Sequence, residues 1–128
     1  MISPECGNLQ ITAMTREELK ARTKKFALRI MKMTDALPRT VKGKVITSQI
    51  LRSSTAVASG YRAACRARSK ADWIDKIGRV LEEADESLLW LELTEEDGLL
   101  PARRINALKR EADELTAVFT AIHKSSKS

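Results

Sequence analysis

The sequence is poor in the residues that interrupt helices. Five glycines and three prolines occur in 128 residues, and aromatic residues make up only 4%. Charged residues reach 31%, and a composition rich in Ala, Leu, Glu, Lys and Arg favours long amphipathic helices over strands. At this length a single domain can bury one core without disulfide or metal staples.

The chain also lacks the marks of a membrane or secreted protein. No run of about 18 consecutive apolar residues is present, which argues against a membrane span. The N-terminus has neither the basic region nor the apolar stretch of a secretory signal. The two cysteines, Cys6 and Cys65, show no CxxC or Cys/His spacing. We therefore expect a cytoplasmic protein with no membrane partner.

Histidine is nearly absent, which argues against catalytic and metal sites. A ferritin-like di-iron bundle needs Glu-x-x-His pairs on facing helices, whereas the one histidine, His123, lies near the end of the last helix. Glu82, Glu83 and Glu86 lie on neighbouring turns, but no histidine, cysteine or second acidic cluster accompanies them. We predict a non-enzyme without a metal or cofactor, in which a glutamate of helix three pairs with an arginine of helix two. The candidates for this inter-helix ion pair are Arg52, Arg62, Glu83 and Glu86.

The first half of the chain carries two segments with apolar residues at helical spacing. Thr15 and Glu18 form a capping box before the first helix, and Pro38 stops it. A loop that holds Pro38 and Gly43 precedes the second helix. The predicted core faces are Leu19, Thr23, Phe26, Ile30, Met33 and Leu37, then Ile46, Ile50, Ser54, Val57, Tyr61 and Ala64.

Two further helices follow in the second half. Ser69 and Asp72 give the N-cap signal of the third helix, and Gly98 suits the left-handed residue that ends it. Pro101 is well placed in the first turn of the fourth. The predicted core faces are Trp73, Ile77, Val80, Ala84, Leu88 and Leu91, then Ile105, Leu108, Ala112, Leu115, Phe119 and Ile122.

Short connections make neighbouring helices antiparallel, so the expected fold is all-α, an antiparallel up-down-up-down four-helix bundle. We expect three parts along the chain. Residues 1–14 form a flexible N-terminal extension without periodicity, residues 15–123 form the bundle, and residues 124–128 form a frayed tail.

Charge is distributed unevenly along the chain. Ten basic and three acidic residues lie between 15 and 44, and five basic and no acidic residues lie between 45 and 70. Residues 71–97 instead hold two basic and ten acidic residues. Two basic helices therefore accompany one acidic helix, and the surface is dipolar although the net charge is +6.

The third helix is apolar around its whole circumference near residue 90. One helix of a monomeric bundle buries a single stripe, so residues outside that stripe need another cover. We predict that self-association supplies it, with an interface formed by Leu89, Trp90 and Leu93.

Two motifs resemble a bacterial protein family. The first is QILRSSTAVASGYRAACRARS over residues 49–69, and the second combines Trp73-Ile74-x-Lys76 with EEADESLLWL over residues 82–91. Together they resemble the four-helix-bundle proteins related to the ribosomal RNA intervening-sequence protein. The accessory variability protein of diversity-generating retroelements is a relative. The likeness runs from about Thr15 to the end of the fourth helix.

This resemblance implies a four-helix bundle that assembles into a pentameric ring with a central channel. For the retroelement relative it also implies binding to nucleic acid and to a reverse transcriptase through basic surface. Where the family commonly has Asn in the first motif, this chain has Gly60, so a polar contact by that Asn is not expected here.

Two hypotheses of function follow. The first is an accessory protein that binds RNA or DNA without sequence preference, through phosphate contacts. The second is a protein-interaction scaffold without a nucleic-acid role, whose basic helices complement the acidic helix of a neighbouring subunit. Under the first hypothesis the candidate nucleic-acid-binding residues are Lys24, Lys25, Arg62, Arg66, Arg68 and Lys70.

Overall fold

The computed structural model describes residues 14–128 of the chain, and these form four helices without a strand. The prediction of an all-α fold is confirmed. The helices are α1 (Arg16–Thr34), α2 (Val41–Ala64), α3 (Lys70–Glu96) and α4 (Ala102–Ser126).

Two of the predicted helix boundaries follow from their capping residues. The Thr15 side chain accepts a hydrogen bond from the backbone N–H of Glu18 at 3.1 Å, so α1 begins as the capping box indicated. Gly98 adopts a φ of 72° directly after the end of α3. That left-handed conformation is accessible to glycine at little cost, and it ends the helix.

Helix α2 begins earlier than predicted. Gly43, which the sequence placed in a loop, is buried in the first turn, because Thr40 caps the helix by accepting from the Gly43 N–H at 3.2 Å. The α1–α2 connection passes close over this turn. A Cβ atom on Gly43 would lie 1.8 Å from the carbonyl oxygen of Pro38, so the position requires glycine for space.

Helix α4 extends beyond its predicted end. The sequence predicted a frayed tail over residues 124–128, but α4 remains helical to Ser126. The indole Nε1 of Trp73 on α3 donates to the Ser126 hydroxyl at 2.8 Å, and that hydroxyl lies 2.6 Å from the carbonyl oxygen of Ile122. A tertiary contact thus holds the last turn, where sequence alone indicates fraying.

The core consists largely of the predicted faces. All the core residues predicted for the first, second and fourth helices are buried, although Leu37 lies in the α1–α2 connection because α1 ends at Thr34. Helix α3 differs: Trp73 and Leu88 are only half-buried, and Ser87 and Thr94 are fully buried instead. The Ser87 hydroxyl lies 2.9 Å from the Ser53 hydroxyl of α2 and 2.9 Å from the carbonyl oxygen of Glu83. These hydrogen bonds allow a polar residue to occupy a core position.

Contacts between successive helices fit the predicted up-down-up-down arrangement. Lys42 near the start of α2 contacts Asp97 just after α3, and Ser53 in the middle of α2 contacts Ser87. Helix α1 packs on α2 and α4, and α3 packs on the same two helices. Helices α1 and α3 therefore occupy opposite corners of the bundle.

Two further predictions concern the N-terminal extension and the lack of a membrane span. Of the predicted N-terminal extension, residues 1–13 lie outside the described residues, and Met14 is buried against the core. Among the described helices, none is long and apolar enough to cross a membrane.

Candidate nucleic-acid interface

One end of the bundle brings together the start of α1, the end of α2, the start of α3 and the end of α4. The Arg16 guanidinium carbon lies 4.6 Å from the centre of the Trp73 ring, a cation–π geometry. The Lys70 ammonium donates to the carbonyl oxygen of Ser128 at 3.4 Å. Together with the Trp73–Ser126 hydrogen bond, these contacts join three helices. We call this region the basic end, for the charges described next.

The α2–α3 connection at this end is short and tightly capped. It spans residues 65–69. The Ser69 hydroxyl accepts from the Asp72 backbone N–H at 3.0 Å, and the Asp72 carboxylate accepts from the Arg68 backbone N–H at 3.1 Å. This reciprocal pair holds the backbone between the helices. The arginine side chains of the connection are therefore presented from a fixed turn.

An open groove of roughly 810 Å³ lies beside this turn. Arg62, Arg66 and Arg68 line it and are exposed. Within the described part of the chain, none of these three arginines forms an ion pair. The groove therefore presents guanidinium groups whose charge no carboxylate of residues 14–128 neutralises. The remaining lining residues are Ala63, Ser69, Asp72 and Lys76.

Asp72 is the acidic residue of this groove. Its carboxylate accepts from the Lys76 ammonium at 2.5 Å. Hydrogen bonds from Lys76 and from the Arg68 backbone lower the pKa of Asp72 below its usual range. It is therefore ionised at neutral pH and paired with Lys76, which leaves the three arginines as the net charge of the groove. Sequence reasoning missed Lys76, although its spacing of four residues from Asp72 is typical of a helical ion pair.

The other predicted nucleic-acid-binding residues lie partly elsewhere. Lys70 is exposed at the first position of α3, beside the groove but not in its lining. Lys24 and Lys25 are exposed on α1 and do not line the groove. The predicted set therefore divides into a cluster at the basic end and a separate pair on α1.

The ion pair proposed between α2 and α3 involves one arginine and both glutamates. The Arg52 guanidinium lies 3.1 Å from Glu83 Oε1 and 2.5 Å from Glu86 Oε2. Arg52 donates to Glu86, and this hydrogen bond lowers the pKa of that carboxyl. The Arg52 side chain is 47% exposed, so solvent screens the pair. Arg62 lines the groove at the basic end and takes no part in this ion pair.

The predicted oligomer-interface residues are exposed to different degrees. Leu89 is 45% and Leu93 41% exposed. Trp90 is half-buried, partly packed against the core, and its indole N–H donates to Glu86 at 3.4 Å. The two leucines are thus exposed on α3, whereas Trp90 packs partly within its own subunit.

The described residues show no arrangement for metal chemistry. In residues 14–128, no three side chains of His, Cys, Asp or Glu gather into a potential metal site. His123 instead packs beside Gly78 of α3, where an added Cβ would lie 3.2 Å from its Nε2.

Comparison with known proteins assigns the family. A solved structure from Bacteroides thetaiotaomicron, described as a protein with unknown function from the S23 ribosomal protein family, is 31% identical. The alignment covers 87% of this chain and 99% of that one, with a TM-score of 0.79. No curated protein matches the sequence. Residues 17–121 match the family described as 23S rRNA-intervening sequence protein. This match confirms the resemblance seen in the two motifs, and the chain belongs to that family.

Proposed function

We propose that this protein is a non-catalytic, self-associating four-helix bundle that binds nucleic acid through the backbone phosphates at its basic end. The observation that carries the proposal is the groove at the α2–α3 connection. Its three arginines, Arg62, Arg66 and Arg68, are exposed, close to one another and without an ion pair in the described chain. The arginine side chain binds phosphate through two parallel N–H donors. A cluster of arginines without carboxylate partners therefore suits a polyanion.

The groove favours binding without sequence preference. No aromatic side chain is among its lining residues, so it offers no aromatic ring on which bases stack. Phosphate contacts position a nucleic acid but do not distinguish its sequence. The family match to a 23S rRNA-intervening sequence protein makes RNA the first probe to use.

Self-association multiplies these contacts. A groove with three arginines neutralises few phosphates, and affinity rises with the number neutralised. An oligomer presents several copies of the basic end to one strand, which increases avidity. The pentameric state implied by the family resemblance is the assembly that we propose.

The test measures binding of labelled RNA and DNA of unrelated sequences by fluorescence anisotropy. At about 50 mM salt we expect wild type to bind all the probes. In a plot of log K, the logarithm of the association constant, against the logarithm of the salt concentration, the slope should be roughly −0.7 to −0.9 for each phosphate neutralised. The double variant Arg66→Glu, Arg68→Glu should weaken binding to every probe and flatten the salt slope.

The matched control is Arg103→Glu, Arg104→Glu at the opposite end of the bundle. These two arginines are also exposed, adjacent and without an ion pair among the described residues. The control should bind nearly as wild type does. An equal loss of affinity in both double variants would place the binding surface elsewhere. If wild type binds no probe at low salt, the protein-interaction scaffold is favoured.

A further inference from the structure

The outward surface of α1 carries apolar residues ringed by lysines. Leu28 is 56% and Met31 47% exposed. Helical spacing places Lys24, Lys25 and Lys32 three or four residues from Leu28, so they surround it on the same face. None of these lysines forms an ion pair within the described chain. We call these five residues the α1 face.

The outward surface of α3 has the opposite charge. Leu89 and Leu93 are 45% and 41% exposed. By the same spacing Asp85 and Glu92 lie beside Leu89, and Glu96 lies beside Leu93. The ion pairs of the described residues include none of these three acids. We call these five residues the α3 face.

The α3 face continues into an apolar groove. Leu93, together with Val41, Val45 and Leu99, lines a depression of about 340 Å³ between α2 and the end of α3. Val41 is 82% and Val45 50% exposed. Exposed apolar area of this kind, with charged residues around it, is typical of a protein–protein contact surface.

The two faces are complementary but lie apart in one molecule. Each combines exposed apolar side chains with charges that form no ion pair among residues 14–128, and the signs are opposite. Glu92 and Glu96 do lie near Lys109 of α4, but the ammonium of that lysine pairs with Glu95. Because α1 and α3 occupy opposite corners of the bundle, the faces of one molecule are unable to meet. We propose that the α1 face of one copy docks on the α3 face of the next, with lysines against carboxylates and Leu28 against the apolar groove.

This contact joins unlike surfaces, so it is heterologous, and every subunit uses both faces. The inference rests on the self-association proposed above and specifies how the subunits meet. It also separates the two groups of basic residues. Lys24 and Lys25 serve the subunit contact, and the arginines of the basic end remain open to nucleic acid.

The experiment exchanges the charges of the two faces. One variant carries Lys24→Glu, Lys25→Glu and Lys32→Glu, and the other carries Asp85→Lys, Glu92→Lys and Glu96→Lys. Each alone presents like charges on both faces, so each should be monomeric by light scattering at concentrations where wild type is assembled. A third variant that carries all six changes in one chain should recover the wild-type mass, because every contact of the ring then joins opposite charges again. Circular dichroism checks that each variant is folded.

The Arg103→Glu, Arg104→Glu protein is the control, since its changes lie on neither face, and it should assemble as wild type does. Assembly of either triple variant alone would overturn the inference. Failure of the six-change variant to assemble, while it is folded and wild type assembles, would also overturn it and leave self-association standing. A monomeric wild type at micromolar concentration would instead remove the proposed self-association, and this contact with it.

Discussion

The two ends of the bundle differ in the kind of groove that lies open at each. At the basic end, arginines stand without an ion pair, while the Trp73 ring is covered by Arg16 and tied to Ser126. At the other end, formed by the α1–α2 and α3–α4 connections, Lys42 pairs with Asp97 at 3.2 Å, and Lys109 pairs with Glu95 at 2.8 Å. Arg103 and Arg104 at that end also form no ion pair among residues 14–128, but the groove that lies open there is apolar and is lined by Leu93.

The two grooves suit different kinds of partner. A cluster of unpaired guanidinium groups attracts polyanions over a distance set by the ionic strength. An apolar groove binds only what fits it closely, because the gain comes from water-exposed area removed. In the assembly that we propose, this separation leaves each subunit free to bind a neighbour and a nucleic acid at the same time.

The ends also differ in how they are held, and the largest expected effect lies at the α1–α2 connection. In Gly43→Ala the new methyl group would meet the Pro38 carbonyl, a backbone atom unable to rotate away. We expect a loss near the upper end of the range for overpacking, about 3 kcal/mol. Urea unfolding measures it. Lys44→Ala, one residue further on, is the control and should change stability by less than about 0.5 kcal/mol. Similar midpoints for both variants would contradict the tight connection.

A smaller effect is expected where α2 crosses α3. A Cβ on Gly60 would lie 2.9 Å from the Val80 Cγ2 atom, which is buried and β-branched. The gain in helix propensity is about 1 kcal/mol, but overpacking costs roughly 1–3 kcal/mol, so Gly60→Ala should be destabilising by about 1 kcal/mol. Gly78→Ala meets only the half-buried ring of His123 at 3.2 Å, and it should be neutral or slightly stabilising. Equal effects in thermal unfolding would refute this reading of the contact.

At the basic end we expect a local effect. Ser126→Ala removes the acceptor for the Trp73 indole N–H, a hydrogen bond worth about 1 kcal/mol. Hydrogen exchange should speed up in the last turn of α4, while the α1–α2 connection keeps its protection. Ser128→Ala is the control, because Ser128 offers its backbone carbonyl, not its side chain, to Lys70. Unchanged exchange at the end of α4 in Ser126→Ala would mean that the tether does not hold this turn.

The smallest effect concerns the ion pair between the two ends. Because Arg52 is 47% exposed, Arg52→Ala should cost less than about 1 kcal/mol. In wild type, the hydrogen bond from Arg52 lowers the pKa of Glu86. The stabilisation is therefore present above the ordinary carboxyl pKa and lost as the pH falls through the lowered value. The difference in unfolding free energy between wild type and variant should shrink in that acidic range. A constant difference across this range would show that Arg52 acts by packing.

The sequence predicted most of the fold because its core signals are local. Every core residue that helical spacing proposed for the first, second and fourth helices is buried. The errors lie where a tertiary contact outweighs a local signal. Ser87 is buried because Ser53 of α2 lies within hydrogen-bond distance. Gly43 is helical because Thr40 caps it, and the predicted frayed tail is helical to Ser126 because Trp73 reaches it.

For the candidate site, the order of residues along the chain fixes where charge is available: basic first and second helices, an acidic third helix and arginines in the α2–α3 connection. Which of these charges remain unpaired depends on how the helices pack. Arg52 and Arg62 lie ten residues apart on α2, yet Arg52 meets Glu83 and Glu86 whereas Arg62 lines an open groove. Side-chain partners depend on how helices are rotated against one another, and that rotation is fixed by packing of the whole core. Periodicity names the buried face of each helix, but the packed bundle sets which charges of neighbouring helices meet.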